Sequence, residues 1–135
     1  MKHYFPRKIK TLVAIDGSTN CWAWLKKIKH HINIDNCRIT LIIVPKSFEE
    51  VDKAKKILEL TLEFMDDENF LFMHEDSVIK VGEAAKIIID YANEHNFDLI
   101  VLGSHNKTKV ERFFMGSVSS MVVLESHVPV LVMKI

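Results

Sequence analysis

Apolar positions change their spacing along the chain in a regular alternation. Lys10-Thr-Leu-Val-Ala-Ile-Asp16 is a short apolar run that ends in a carboxylate, which predicts a buried strand. Gly17-Ser-Thr-Asn20 follows as a turn and helix-start cluster. Cys21, Leu25, Ile28 and Ile32 then recur at i, i+4, i+7 and i+11, one face of a helix, with Lys26, Lys27, Lys29 and His30 on the others. Asp35-Asn36 reads as a turn, and Ile39 to Val44 as a second, β-branched strand closed by Pro45. Ser47 with Glu50 fits a capping box. The helix it opens carries Val51, Ala54, Leu58, Leu62 and Met65 on its inner face. Asp66-Asp67-Glu68-Asn69 closes that helix with acid, which opposes the helix dipole and predicts fraying.

The second half repeats the alternation. Phe70 to Val78 is a third strand, less apolar and so nearer an edge. Gly82 turns the chain into a third helix, with Ala85, Ile88, Ile89 and Ala92 at i, i+3, i+4 and i+7. Asp98 to Leu102 is a short, uniformly apolar fourth strand, as expected of a strand covered on both faces. Gly103 to Met115 is a loop, Gly116-Ser117 begins a fourth helix reaching about Glu125, and His127 to Met133 is the last strand. Strands alternating with helices predict a parallel sheet built through right-handed crossovers, an α/β fold with helices on both faces. Periodicity does not give the order of the strands.

Composition narrows the function. The chain has 135 residues, enough for one domain, and no linker or repeat divides residues 1–135. The longest unbroken apolar run is five residues, Cys21 to Leu25, far below the ~18 a transmembrane helix needs. The basic start, Met1 to Lys10, is not followed by a long apolar stretch, so a secretory signal and a membrane partner are not expected. Lys plus Arg and Asp plus Glu are 18 each, without the basic excess a general nucleic-acid binder needs. Cys21 and Cys37 form neither a CxxC nor a metal spacing, which predicts two reduced, packed thiols and a cytoplasmic protein. His30, His31 and His74 lack a third ligand and are expected to be solvated or packed. Trp22 and Trp24, two apart on a helix, point to different faces, one packing inward.

Candidate chemistry collects at the carboxyl ends of the strands, where open α/β sheets bind ligands. Asp16 ends the first strand, Val44 the second and Gly103 the fourth. Thirteen residues, Gly103 to Met115, join the fourth strand to the fourth helix, beyond the two to six usual for such connections. Gly103 permits a close approach that a side chain would block. Gly116 and Ser117 stand where a helix begins and its unpaired amides suit phosphate. An Asp before Gly-Ser also serves as a local turn group, so two readings of Asp16 stay open.

Gly103-x2-Asn106-x9-Gly116-Ser117 closely resembles the Gly-x2-Gly-x9-Gly-(Ser/Thr) signature of the universal stress protein family. Leu12 to Ser18 is similar to that family's first strand and turn, Leu41 to Val44 to its second strand, and Val81 to Ala85 to a helix entry. Asp98 to Gly103 and Val128 to Val132 resemble its last two strands, so the likeness covers nearly the whole chain.

The resemblance implies an open five-stranded parallel sheet ordered 3-2-1-4-5, Rossmann-like and akin to the adenine nucleotide alpha hydrolases. It implies a homodimer through the C-terminal strand, residues 128–134. It implies ATP as ligand, with or without Mg2+ or Mn2+, and a stress-response switch or adaptor with an unidentified protein partner. Ala14, Ile15, Asp16 and Val44 would hold ribose and adenine; Gly103, Asn106, Gly116, Ser117 and Val118 would surround phosphates and sugar, with His105 in the same loop. Asn106 departs from the pattern, where the family has Gly. Asn tolerates positive φ better than other non-glycine residues and keeps the backbone N–H, but its side chain can crowd a phosphate. A nucleotide-free dimeric interaction module and a slow ATP hydrolase therefore stay open beside nucleotide binding.

Overall fold

The computed structural model describes residues 7–70, 76–104 and 116–134. Five strands, β1 (Ile9–Ile15), β2 (Cys37–Ile43), β3 (Asp76–Ile79), β4 (Leu99–Gly103) and β5 (Val130–Met133), form one sheet in the order β3-β2-β1-β4-β5. Every pairing is parallel. Four helices, α1 (Thr19–Lys27), α2 (Val51–Asp67), α3 (Ala84–Glu94) and α4 (Ser117–Glu125), alternate with the strands. Strand order reverses at β1, whose neighbours β2 and β4 are reached in opposite directions along the sheet.

Alternation along each strand divides the core into two layers. Val13, Ile15, Leu41 and Ile43 face one way, where Trp24, Leu25 and Ile28 from the α1 side and Ala54, Leu58 and Met65 of α2 cover them. Leu12, Ile42, Ile100 and Leu102 face the other way, under Ala85, Ile88 and Ala92 of α3 and Val122 of α4. This two-sided burial is why the central strands read as continuous apolar runs.

Local departures from the sequence reading have physical causes. The acidic end of α2 does not fray. Asn69 takes φ 61°, its N–H donates to Asp66 O at 3.1 Å, and the Phe70 N–H donates to Met65 O at 3.0 Å. That is a Schellman closure, which satisfies the last carbonyls despite the charge. The Lys29 ammonium also donates to the Glu68 carbonyl. Phe70 therefore belongs to the helix end, buried in the core, and the described part of β3 begins only at Asp76. α3 ends the same way: Asn96 at φ 55°, with the Phe97 N–H donating to Ala92 O at 3.0 Å.

The expected capping box at Ser47 is not made, because Glu50 reaches one residue further back. Glu50 Oε2 accepts from the Lys46 N–H at 3.0 Å, while Ser47 makes no side-chain cap bond. A 3-10 turn over Phe48–Glu50 intervenes before α2 begins. The first helix likewise tightens into a 3-10 turn at Ile28–His30, although Ile28 keeps its buried place on the expected face.

Candidate functional site

The carboxyl ends of β1, β2 and β4 open into a cavity of about 400 Å³. It lies at the strand-order reversal, where helices on opposite faces diverge and leave a crevice. Ala14, Ile15 and Asp16 bring β1 to its floor; Ile42 to Lys46 bring β2; Leu102 and Gly103 bring β4. Gly116 to Ser119, the start of α4, close the far side. Trp24 of α1, Ala54 and Ile57 of α2, and Ala84 and Ile88 of α3 complete the walls. Lys46, Glu50 and Lys53 stand exposed at the mouth.

Eight of the ten residues singled out from the sequence meet here: Ala14, Ile15, Asp16, Val44, Gly103, Gly116, Ser117 and Val118. They come from three strands and a helix start up to 104 positions apart. His105 and Asn106 lie outside the described residues, as does the rest of the long connection.

Asp16 serves the local turn and also borders the cavity. Its Oδ1 accepts from the Ser18 N–H at 2.9 Å, a local turn, while the residue lies on the cavity wall. Ser18 caps α1, accepting from the Cys21 N–H at 3.2 Å. The α4 start is uncapped by side chains: Gly116 is the N-cap with extended backbone, φ −60° and ψ 157°. The amides of the following first turn therefore have no intrahelical acceptor and present a partial positive charge beside the cavity. Ser119 is turned inward instead, its Oγ donating to Gly116 O at 3.0 Å.

Gly103 is explained by space. A Cβ there would lie 2.8 Å from Trp24 Cδ1 and 3.0 Å from Cε2, and nearer still to Nε1. The indole occupies the volume any side chain would need. Trp24 is the inward tryptophan of the pair, 3% exposed. Trp22 lies partly buried, stacked on Phe64 with ring centroids 5.0 Å apart and donating to Thr61 Oγ1 at 3.2 Å. Sequence reading missed Trp24, Lys53, Ala84 and Ile88 as cavity residues. They lie on helices, Ala84 and Lys53 in first turns, and helical periodicity reports only burial. Beside the cavity, Ser104 Oγ is buried with no hydrogen-bond partner among the described residues.

Burial pushes the Cys21 thiol up to about 12, and the nearby Asp16 carboxylate adds to the rise, against backbone hydrogen bonds at Asp16 and Gly17 that lower it. Cys21 and Cys37 are both buried and unbridged. Among the described residues no group of three His, Cys, Asp or Glu side chains could hold a metal ion.

An apolar slot leading to uncapped helix amides is chemistry for a ligand with a flat apolar part and an anionic part. Fold and cavity together define an α/β protein of the open, Rossmann-like type with a crevice at the topological switch point. The chain belongs to the universal stress protein family, whose model matches residues 9–134.

Among curated relatives, it is 43% identical over 53 residues to universal stress protein MJ0531 of Methanocaldococcus jannaschii, covering 39% of this chain and 31% of that protein. It is 32% identical over 83 residues to universal stress protein MJ0577 of the same organism, covering 62% of this chain and 49% of that protein. The matched segments thus span less than half of either relative.

Similar solved structures include a universal stress protein in complex with cAMP, at TM-score 0.73 and 19% identity over 95% of this chain and 98% of that one. The Archaeoglobus fulgidus protein in complex with dAMP matches at TM-score 0.71 and 20% identity over 96% and 100%. An Arabidopsis thaliana family protein with AMP bound matches at 0.67 and 20% over 93% and 91%. At these identities the likeness shows a shared fold.

Proposed function

We propose that this protein binds an adenine nucleotide in the switch-point cavity and works as a nucleotide-responsive switch or adaptor rather than through a dedicated catalytic apparatus. The observation that carries this reading is the continuity of an apolar slot with the uncapped amides of α4. Val44, Ala84 and Ile88 line the slot that takes the base. Asp16 and Gly103 meet the ribose, and Gly116, Ser117 and Val118 offer amides to phosphate. ATP is the nucleotide proposed, with His105 and Asn106 as further contacts and Mg2+ or Mn2+ as a companion to the triphosphate. The three fold neighbours crystallised with cAMP, dAMP and AMP support this reading.

The proposal includes a homodimer through residues 128–134 and a cytoplasmic setting. β5 is an edge strand whose Val130, Leu131 and Val132 are only half-buried, and α4 beside it leaves Leu124 80% exposed. An apolar edge of that kind invites pairing. No described helix is long and apolar enough to cross a membrane.

The test is calorimetry with AMP, ADP and ATP on the purified chain and on Val44→Phe, which fills the slot at its open end. Micromolar binding lost in the variant, at unchanged unfolding temperature, supports the reading. Flat traces for all three nucleotides on the folded parent end it. Light scattering at several concentrations reports the dimer, and Leu131→Lys should yield monomers.

A further inference from the structure

Lys53 stands exposed on the lining of the cavity mouth, in the first turn of α2. A neighbour on the same helix face fixes where it stands. Ile57 packs so closely on the β1–α1 turn that a Cβ at Gly17 would lie 2.6 Å from its Cδ1. Residues i and i+4 lie one above the other on a helix, and α2 runs inward from the mouth. Lys53 therefore overhangs the Asp16–Gly17 turn, one helical turn nearer solvent than Ile57. Lys46 lines the mouth as well, but it follows Val44 and Pro45 at the base end of the slot.

Lys53 is also uncommitted. Glu50, three residues earlier, is the natural ion-pair partner, but its Oε2 turns back to accept the Lys46 N–H at 3.0 Å. No carboxylate among the described residues pairs with Lys53, whereas Lys26 and Lys86 pair with Glu68 and Asp90. The Asp16 and Glu50 carboxylates border the same mouth. Two negative charges there oppose a phosphate chain that leaves the α4 amides, unless a cation offsets them.

We propose that Lys53 is a specificity-determining residue whose ammonium binds the phosphates beyond the first, so that the cavity selects nucleoside di- and triphosphates over the monophosphate. This deepens the nucleotide-binding reading and rests on it. The α4 amides take the phosphate next to the ribose, a fixed cradle that every adenine nucleotide fills alike. Further phosphates run on toward the mouth, past those amides. An ammonium with three donors on a flexible four-carbon stem can follow such a chain, which a backbone amide cannot.

The experiment is calorimetry with AMP, ADP and ATP in excess Mg2+ on the full chain, on Lys53→Met and on Lys53→Arg. Lys27→Met, at the exposed end of α1, removes the same charge away from the cavity and serves as control. The parent should bind ATP more tightly than AMP. Lys53→Met should weaken ATP roughly five- to tenfold, the range for a solvent-exposed charge-assisted contact, and leave AMP unchanged. Lys53→Arg should keep most of the ATP affinity, and Lys27→Met should match the parent. A second measurement needs no variant: ATP should slow acetylation of Lys53 by acetic anhydride, read by mass spectrometry, while AMP should not, and Lys27 should react alike throughout.

Equal weakening of all three nucleotides in Lys53→Met overturns the proposal, because it marks a contact with base or ribose. So does a Lys53→Met variant that binds ATP like the parent, or Lys53 acetylated equally fast with ATP and with AMP. If the parent binds no adenine nucleotide at all, the functional reading falls and this inference falls with it. A parent that binds AMP as tightly as ATP removes the inference alone.

Discussion

Arg7 and Asp98 meet as a two-pronged ion pair, with Nη1 to Oδ2 and Nη2 to Oδ1 both at 2.9 Å. The pair clamps the start of β1 to the start of β4 at the end of the sheet opposite the cavity. The same carboxylate accepts the Lys10 N–H at 2.9 Å, and the Asp98 N–H donates to Lys10 O at 2.7 Å. Arg7 first, then the Lys10 amide, hold the Asp98 carboxyl below its ordinary range. A lowered folded value contributes stability that is present above the unfolded pKa, about 3.9, and is lost as pH falls through the folded value. Urea midpoints of the parent should therefore drop below about pH 4 more steeply than those of Asp98→Asn. Parallel acid limbs in the two proteins would assign the acid sensitivity to other carboxylates.

Cys21 predicts behaviour at the other end of the pH scale. Its thiol, raised from 9.0 to about 12 by burial, stays neutral in the fold where the unfolded chain ionises. The unfolded state then binds fewer protons, so stability falls as pH rises from about 9 towards 12, by about 1.4 kcal/mol per pH unit at most. Cys21→Ala should flatten that slope. Iodoacetamide at pH 8 should label neither Cys21 nor Cys37, both buried, until denaturant is added. Rapid labelling of the native protein would contradict their packing.

Gly103→Ala should destabilise the protein by about 1–3 kcal/mol through overpacking, because its methyl group would overlap the Trp24 indole. Trp24→Leu in the same chain removes the obstacle. The double variant should be more stable than the sum of the two single losses implies. Additive losses in a double-mutant cycle would show that Gly103 is required for another reason.

Asn69 and Asn96 close their helices in the left-handed region, at φ 61° and 55°. Replacing either with Ala should cost about 1 kcal/mol, since a Cβ is disfavoured there and Ala cannot make the local hydrogen bonds that let Asn tolerate it. Replacement with Gly should leave thermal stability unchanged or improved. A similar loss for Ala and Gly would point to the Asn side chains rather than to the backbone angle.

The helix ends also show where sequence reading stopped short. Asn69-Phe70 and Asn96-Phe97 are the same device used twice: a left-handed Asn followed by an aromatic residue that drops into the core. Acidic composition argued for a weak end at α2, but hydrogen-bond geometry outweighs a dipole term worth only a few tenths of a kcal/mol at an exposed end. The candidate site was more legible. Asp16, Val44, Gly103 and Gly116 are each marked by a strand end or a helix start, and the fold brings them to one cavity. Trp24 carried no such mark, because a buried tryptophan on a helix face reads the same whether it touches the core or a crevice.

The sequence by itself determined the alternation of strand and helix, the two-sided burial of the central strands, and the placement of glycines at chain reversals. All follow from short-range periodicity and backbone sterics, which need no knowledge of distant residues. The tertiary structure alone decided that Trp24 slides under Gly103, that Lys46, Glu50 and Lys53 gather at the cavity mouth, and that Arg7 reaches Asp98 across 91 positions of chain. Such contacts depend on which faces meet after the sheet has twisted and closed its layers. Their free energies reward packing in space, and no local spacing records them.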